Sequence, residues 1–216
     1  MKNVLIIGGG KKAKMLLNMF KFNDVIATKK MRFIGIYDKM LKKPTFKSKI
    51  KFFNKKDDLK NLIKKADYFL LAIGNNLIRK KYSELLYKYN IKALTVISKK
   101  AIIDKGVKIG EGSQIMPGAV IRSDVVIGKF TIINTNCSID HDCVIEDYAH
   151  VMGAAALAGS ITVGESSNIG TNATIFPEIK IGKNSFVGAG SLVNKDVTNN
   201  VVVAGSPCKI LKKINL

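Results

Sequence analysis

The sequence predicts an α/β Rossmann-like domain followed by an all-β left-handed parallel β-helix. Three observations carry this. An apolar run, Val4–Ile7, leads into Gly8–Gly10 and then into a helical pattern. Beyond residue 100, every sixth residue is aliphatic. The charge is also divided: residues 1–100 hold 26 Lys/Arg and 6 Asp/Glu, whereas 101–216 hold ten of each.

The bulk numbers narrow the class. A 216-residue chain that is 47% hydrophobic has material for one large core or two small ones. No window approaches the about 20 apolar residues of a membrane span. The opening "MKNVLIIGGG" has four consecutive aliphatics, short of the roughly 7–15 of a signal-peptide core. A cytoplasmic protein without membrane insertion is expected. The three cysteines, Cys137, Cys143 and Cys208, form neither a disulfide framework nor a CxxC pair, so no metal site is expected. The excess positive charge could attract a polyanion. Yet the chain has 33 Lys and only 3 Arg, whereas base-reading surfaces lean on arginine. Aromatic residues are little interleaved with the basic ones, which argues against specific nucleic-acid binding, so nucleic acid is not an expected partner.

The first domain, residues 1–98, follows from alternating strand and helix signals. Val4–Ile7 is a short buried strand, and Gly8, Gly10 and Ala13 fit G-x-G-x-x-A. The helix that follows would offer its first amides to a phosphate, with Lys11, Lys12 and Lys14 beside the turn. After the next strand, "RFIGIYD", Asp38 stands where an acid could bind a ribose or sugar hydroxyl. Further strands are expected at Ile50–Phe53, Tyr68–Ile73 and Ala93–Ile97, with helices near 56–65 and 77–89. Four or five strands are too few for a two-halved dinucleotide fold. A mononucleotide or sugar nucleotide fits better than NAD.

The second domain, residues 99–216, follows from the repeat. From Ile103 in steps of six to Val193, all sixteen residues are aliphatic. Two residues before each, the side chain is mostly small, as at Ala101, Ser113, Ala119 and Cys137. Three hexapeptides make an 18-residue triangular coil, so about five coils are expected. Cys137 and Cys143 fall on the small inward position and read as core filler. Glycines after the aliphatic, at 110, 128, 164, 170, 182 and 188, are expected to serve tight corners. The tail "PCKILKKINL" is the expected C-terminal cap.

Both histidines lie in "CSIDHDCVIEDYAHV". His141 is two residues past Ile139, at a corner. His150 is one before Val151, on an outward position, so both are expected on the surface. Nine residues is half a coil, so one prism presents them on opposite sides. A site holding both needs two chains, and a homotrimer with three intersubunit sites satisfies that.

"INTNCSIDHDCVIEDYAHV", preceded by the "GGGKKAK" domain, resembles the PglD/NeuD family of bacterial sugar acyltransferases. The Asn-x6-His-[Glu/Asp]-x7-His spacing carries the likeness, which spans nearly the whole chain. The resemblance implies acetyl-CoA as co-substrate and a nucleotide-linked amino sugar as acceptor. It implies His141 as general base, Asp142 as its acidic partner and Asn134 in the acceptor pocket. Asp140 is an alternative partner. It implies His150 near the thioester, the Gly159 amide facing the oxyanion, and Ala204, Gly205 and Pro207 of "AGSPCKI" near the CoA adenine. Gly8, Gly10, Lys14 and Asp38 match positions that hold the nucleotide sugar. The expected activity is N-acetylation of a nucleotide-linked 4-amino-4,6-dideoxy sugar for surface glycans. O-acetylation of a sialic-acid-type sugar is the alternative, and a non-catalytic scaffold or basic nucleic-acid binder a more remote one.

Overall fold

The computed structural model describes residues 1–22, 24–25 and 31–215. The chain forms two compact units, Met1–Thr95 and Val96–Leu216.

The first unit is a five-stranded parallel sheet with helices between its strands. In chain order it runs β1 (Lys2–Ile7), α1 (Lys11–Lys21), β2 (Met31–Tyr37), β3 (Phe52–Phe53), α2 (Lys56–Ile63), β4 (Tyr68–Leu71), α3 (Asn76–Tyr87) and β5 (Lys92–Ala93). The spatial order is β3-β2-β1-β4-β5. The chain thus builds outward from β1 in one direction, then returns to build outward in the other. Val4 to Ile7 and Phe69 to Leu71 are buried in the centre of this sheet, as a strand covered on both faces requires. Each helix buries a narrow stripe: Ala13, Leu16 and Met19 on α1, and Leu59, Leu62 and Ile63 on α2.

The second unit is a left-handed parallel β-helix. Seventeen two-residue strands, Val96–Ile97 (β6) through Leu192–Val193 (β22), recur every six residues. Each through Thr174–Ile175 pairs with the strand 18 residues on, as Val120–Ile121 does with Ser138–Ile139. Three flat faces result. The first carries Ile102–Ile103 and every third strand after it, and the second carries Lys108–Ile109 and its successors. The third begins at Val96–Ile97 and is extended by β23 (Val201–Gly205) and the antiparallel β24 (Cys208–Lys213). The second residue of each strand points inward. From Ile115 to Val193 these residues are buried, at about 1.5–3 kcal/mol for each large aliphatic.

The strand expected at Ala93–Ile97 is divided between two sheets. Ala93 pairs with Phe69 in the first unit, whereas Val96 and Ile97 pair with Gln114 and Ile115 in the second. Ile97 lies one hexapeptide before Ile103, so the coil period claims it. The repeat therefore starts one step earlier than the aliphatic series suggested.

The corner glycines also have a different cause from the one expected. Left-handed backbone occurs every sixth residue from Gly106 to Gly190, mostly at Asn, Asp, Ser and other non-glycine residues. Gly110, Gly128, Gly164, Gly170, Gly182 and Gly188 are not among them. Instead, a Cβ at Gly170 would stand 2.5 Å from the Ala189 nitrogen, and one at Gly110 2.5 Å from the Gly128 carbonyl carbon. These glycines let one coil lie against the next.

The small inward positions form three unlike columns. One is Ala101, Ala119, Cys137, Ala155, Ala173 and Ser191. A second holds larger residues, including Val125, Cys143, Ile161 and Ile179. The third is Ser113, Thr131, Ala149, Ser167 and Ser185. In that third column the hydroxyls donate to carbonyls of the adjoining corner: Ser113 Oγ to Gly128 O at 2.7 Å and Ser167 Oγ to Gly182 O at 2.6 Å. A buried hydroxyl needs such a partner. At the tail, β24 occupies the sheet edge with Lys209, Lys212 and Lys213, charges that discourage further strand pairing. Leu216 lies outside the described residues.

Candidate active site

His141 stands at the corner joining the first and second faces, between the strands Ser138–Ile139 and Val144–Ile145. Successive side chains of a strand point to opposite faces, so His141 and its neighbour would not meet in extended chain. Asp142 has φ 57°, and that left-handed bend breaks the alternation. Its Oδ2 lies 2.8 Å from His141 Nδ1. Asp140 does something else: its Oδ1 accepts from the His141 backbone N–H at 2.8 Å. The imidazole is raised above its ordinary pKa, first by the hydrogen bond to Asp142, then by the charges of Asp140 and Asp142. The ring is 59% exposed, so Nε2 is open to a reacting partner. One coil further on, 18 residues from His141, is Gly159. A Cβ there would stand 2.7 Å from His141 Cε1 and 2.8 Å from Nε2. Glycine keeps the ring's free edge clear.

The other expected residues are elsewhere in this chain. His150 lies on the third face, opposite that corner, paired in register with Ile132 and Asn168. It points outward, but it is only 9% exposed, and Gln114 and Ile132 in the same outward column are fully buried. The expected surface position is corrected on this point: register sets direction, not accessibility. Asn134 is at the corner between the third and first faces, where its Oδ1 accepts from Thr135 N–H at 2.8 Å. Ala204 and Gly205 end β23, and Pro207 lies in the turn to β24.

Neither buried cysteine is poised as a nucleophile. Cys137 is pushed up to about 11 by burial, and its Sγ donates to Met152 O at 2.9 Å. Cys143 is raised for the same reason and donates to Ala158 O at 3.1 Å. Among the described residues, no cluster of His, Cys, Asp or Glu could hold a metal ion.

In the first unit, the chain reverses its building direction between β1 and β4, and ligands of open α/β sheets bind beyond the strand ends at such a point. The glycine turn leaves β1 there. Gly8 has φ 106°, and a Cβ on it would stand 2.6 Å from Ala72 O, so only glycine fits. Gly10 is the N-cap of α1, with open space around it. Asp38 closes the turn: Oδ2 accepts from Gly9 N–H and Oδ1 from Met40 N–H, both at 2.9 Å. Its carboxylate thus has a structural duty that the sequence reading did not foresee. Lys14 is exposed and lines a separate groove of about 750 Å³ with Phe20, Phe33 and residues 46–50. No described contact joins it to Asp38.

Sequence reasoning missed Lys12 as a distinct group and Arg79 altogether. Arg79, on α3, is fully buried and donates to Ile73 O, Gly74 O and Asn76 Oδ1. Half-buried Lys12 is pushed down to about 7, first by burial and then by the Arg79 guanidinium. The rarity of arginine in so lysine-rich a chain was the available signal.

Residues 3–86 match the PglD N-terminal domain, and residues 106–141 match the bacterial transferase hexapeptide. A solved structure of a histidine mutant of perosamine N-acetyltransferase from Caulobacter crescentus, with CoA and GDP-perosamine, is similar at TM-score 0.88 and 30% identity. The match covers 99% of this chain and 98% of that one. WeeI from Acinetobacter baumannii AYE is similar at TM-score 0.82 and 31% identity, over 98% of this chain and 100% of that one. Among curated relatives, galactoside O-acetyltransferase from Lactococcus lactis is 56% identical over 41 residues, 19% of this chain and 20% of that protein. That alignment reaches only a fifth of the relative's length. The full-length likenesses span both units and unite the two family matches in one architecture, so the chain belongs to the PglD family of hexapeptide-repeat acetyltransferases.

Proposed function

We propose that this protein is an acetyl-CoA-dependent N-acetyltransferase acting on a nucleotide-linked 4-amino-4,6-dideoxy sugar. The observation that carries the reading is the exposed His141 ring, held through Nδ1 by Asp142 at 2.8 Å, with Gly159 against its free edge. The full-length relative with CoA and GDP-perosamine supports the substrate class. A protonated sugar amine cannot attack a thioester. His141 takes that proton at Nε2, while Asp142 holds the tautomer and stabilises the imidazolium. The Gly159 amide receives the developing oxyanion, an interaction of roughly 3 kcal/mol when well aimed. No acyl-enzyme is required, in keeping with the raised cysteine thiols.

The full site on this reading is shared between subunits of a homotrimer. His141 and Asp142 of one chain face His150 and Asn134 of its neighbour across a groove. Support comes from the placement of His150 on the face opposite the His141 corner. Ala204, Gly205 and Pro207 hold the CoA adenine, and Gly8, Gly10, Lys14 and Asp38 border the nucleotide sugar.

The test is a screen of UDP-, dTDP- and GDP-linked 4-amino sugars with acetyl-CoA, reading thiol release and the product by NMR. Amide formation on one nucleotide class supports the proposal. Thiol release only with hydroxyl acceptors would replace it by O-acetylation, which the 41-residue likeness to galactoside O-acetyltransferases favours.

A further inference from the structure

The groove of about 750 Å³ in the first unit lies between α1 and residues 46–50, over the start of β2. Its floor is apolar, with Phe20, Phe33 and Phe46 all half-buried. Phe20 and Phe33 meet edge to face, their ring centroids 5.0 Å apart. Its rim is basic. Lys14 and Lys21 stand two turns apart on one face of α1, and Lys47 and Lys49 stand across the groove. Between the latter two, Ser48 Oγ accepts from Ile50 N–H at 3.0 Å, which shapes that short segment. All four lysines are exposed, and no Asp or Glu is among the described lining residues. Beside the rim, at the end of α1, Phe22 is 72% exposed, with the Lys21 ammonium 5.5 Å from its ring centroid.

An apolar floor left in water costs free energy, and ammonium groups gathered around it repel one another. A ligand that relieves both is apolar in one part and anionic in another. The side chains favour a lipid surface over a folded acidic partner. Lysine is a mobile point charge that meets a phosphate from any direction, whereas arginine reads a fixed geometry with its fork. The described lining holds four lysines and no arginine. An extended peptide would find little backbone to pair with, because the edge strand beside β2, β3, has only two residues. A bilayer needs no such register. Its headgroups supply many anions, and its boundary region takes up exposed aromatic side chains such as Phe22. The charge of the chain points the same way. Residues 1–100 hold 26 Lys/Arg and 6 Asp/Glu, whereas 101–216 are balanced, so an anionic surface attracts the first unit alone.

We propose that the first unit docks on an anionic lipid surface through this groove. The lysines meet the phosphate heads, and the phenylalanine floor takes the upper part of one lipid's chains. The contact is peripheral, and it stands apart from which sugar the second unit's histidine serves. Each lysine held near such a surface contributes about fivefold to partitioning. That contribution fades as salt shortens the Debye length from about 10 Å.

The experiment is flotation of the full-length protein with vesicles of phosphatidylcholine alone or mixed with phosphatidylglycerol, at about 0.1 M and about 1 M salt. Wild type is expected to float with the mixed vesicles at low salt, and neither with phosphatidylcholine alone nor at high salt. Two triple variants separate the groove from diffuse charge. Lys21→Glu, Lys47→Glu and Lys49→Glu together reverse the rim, leaving untouched Lys14, which borders the nucleotide sugar in the reading above. Lys56→Glu, Lys60→Glu and Lys64→Glu make the same change of charge at exposed positions of α2. That helix joins β3 to β4 in the reverse direction, so a right-handed crossover puts it on the other face of the sheet. With melting temperatures matched to wild type, the rim variant should partition at least about tenfold more weakly, and the α2 variant within about threefold of wild type. Equal losses in the two variants would reduce the effect to net charge and overturn the groove assignment. Wild type that floats with neither vesicle, or equally with both, would overturn the lipid assignment, and the former result would turn attention to an acidic protein as the occupant.

Discussion

At the scale of single residues, the working geometry rests on a backbone bend. Asp142 reaches its neighbour only because it adopts φ 57°, a conformation that Asn and Asp tolerate better than most residues. Asp142→Asn therefore removes the charge without straining the corner. The base form of His141 exists above its raised pKa, so the rate should climb with pH through that value. In Asp142→Asn the acid limb of the kcat/KM profile should shift downward, toward the ordinary histidine range of about 6.5, and the plateau should fall about tenfold or more. A limb that stays in place would detach Asp142 from His141. Gly159→Ala makes a sharper steric test. Its Cβ would press on the imidazole at 2.7 Å, and the exposed ring is free to swing away. The expected result is an unchanged melting temperature with activity about 10–100-fold lower, because displacing a catalytic group by an ångström costs that much.

At the scale of the element, the coil is held by contacts the aliphatic pattern does not announce. The glycine at position 170 has ordinary backbone angles, yet its hydrogen faces the backbone of the next coil. Gly170→Ala should destabilise by about 1–3 kcal/mol, read as a lower denaturation midpoint, since neither the 2.5 Å contact with Ala189 N nor the 2.6 Å contact with Gly188 C can relax without separating coils. The hydroxyl column makes the same point from the other side. Ser113 and Ser167 lie on opposite sides of the prism's small-residue interruption at Ala149, and each donates to a carbonyl of the adjoining corner. In the first unit, α3 begins where the N-cap Asn75 Oδ1 accepts from Ile78 N–H.

At the scale of the whole molecule, the decisive question is assembly. In one chain, His141 occupies a corner and His150 the opposite face, so neither can complete the other's site. If His141→Ala and His150→Ala are each strongly impaired, mixed trimers formed by co-expression should recover roughly a quarter of wild-type activity, because one ordered neighbouring pair in four keeps both histidines. Mixed trimers verified by mass and no more active than their parents would eliminate the shared groove. Sedimentation of the wild type supplies the prior check, since a monomer at working concentration leaves the geometry without a partner.

The sequence by itself determined the coil. A period of six is a direct consequence of inward side chains on three faces, so sixteen aliphatics in step left one architecture to fit them, and the same arithmetic set His141 and His150 half a coil apart. It likewise determined the strand, glycine turn and helix around Gly8, because an apolar run, the G-x-G-x-x-A spacing and a helical pattern follow one another in the chain. What only the tertiary structure decided depends on distances between residues far apart in the chain. The burial of His150 follows from what surrounds an outward column, not from its register. Gly170 is explained by Ala189, nineteen residues on, and the lowered pKa of Lys12 by burial first and then by Arg79, sixty-seven residues on. Asp38, expected from the sequence to meet a ribose or sugar hydroxyl, also holds the glycine turn. In each case the pattern along the chain states which way a side chain points, whereas close packing and unscreened charge are set by what the fold brings opposite it.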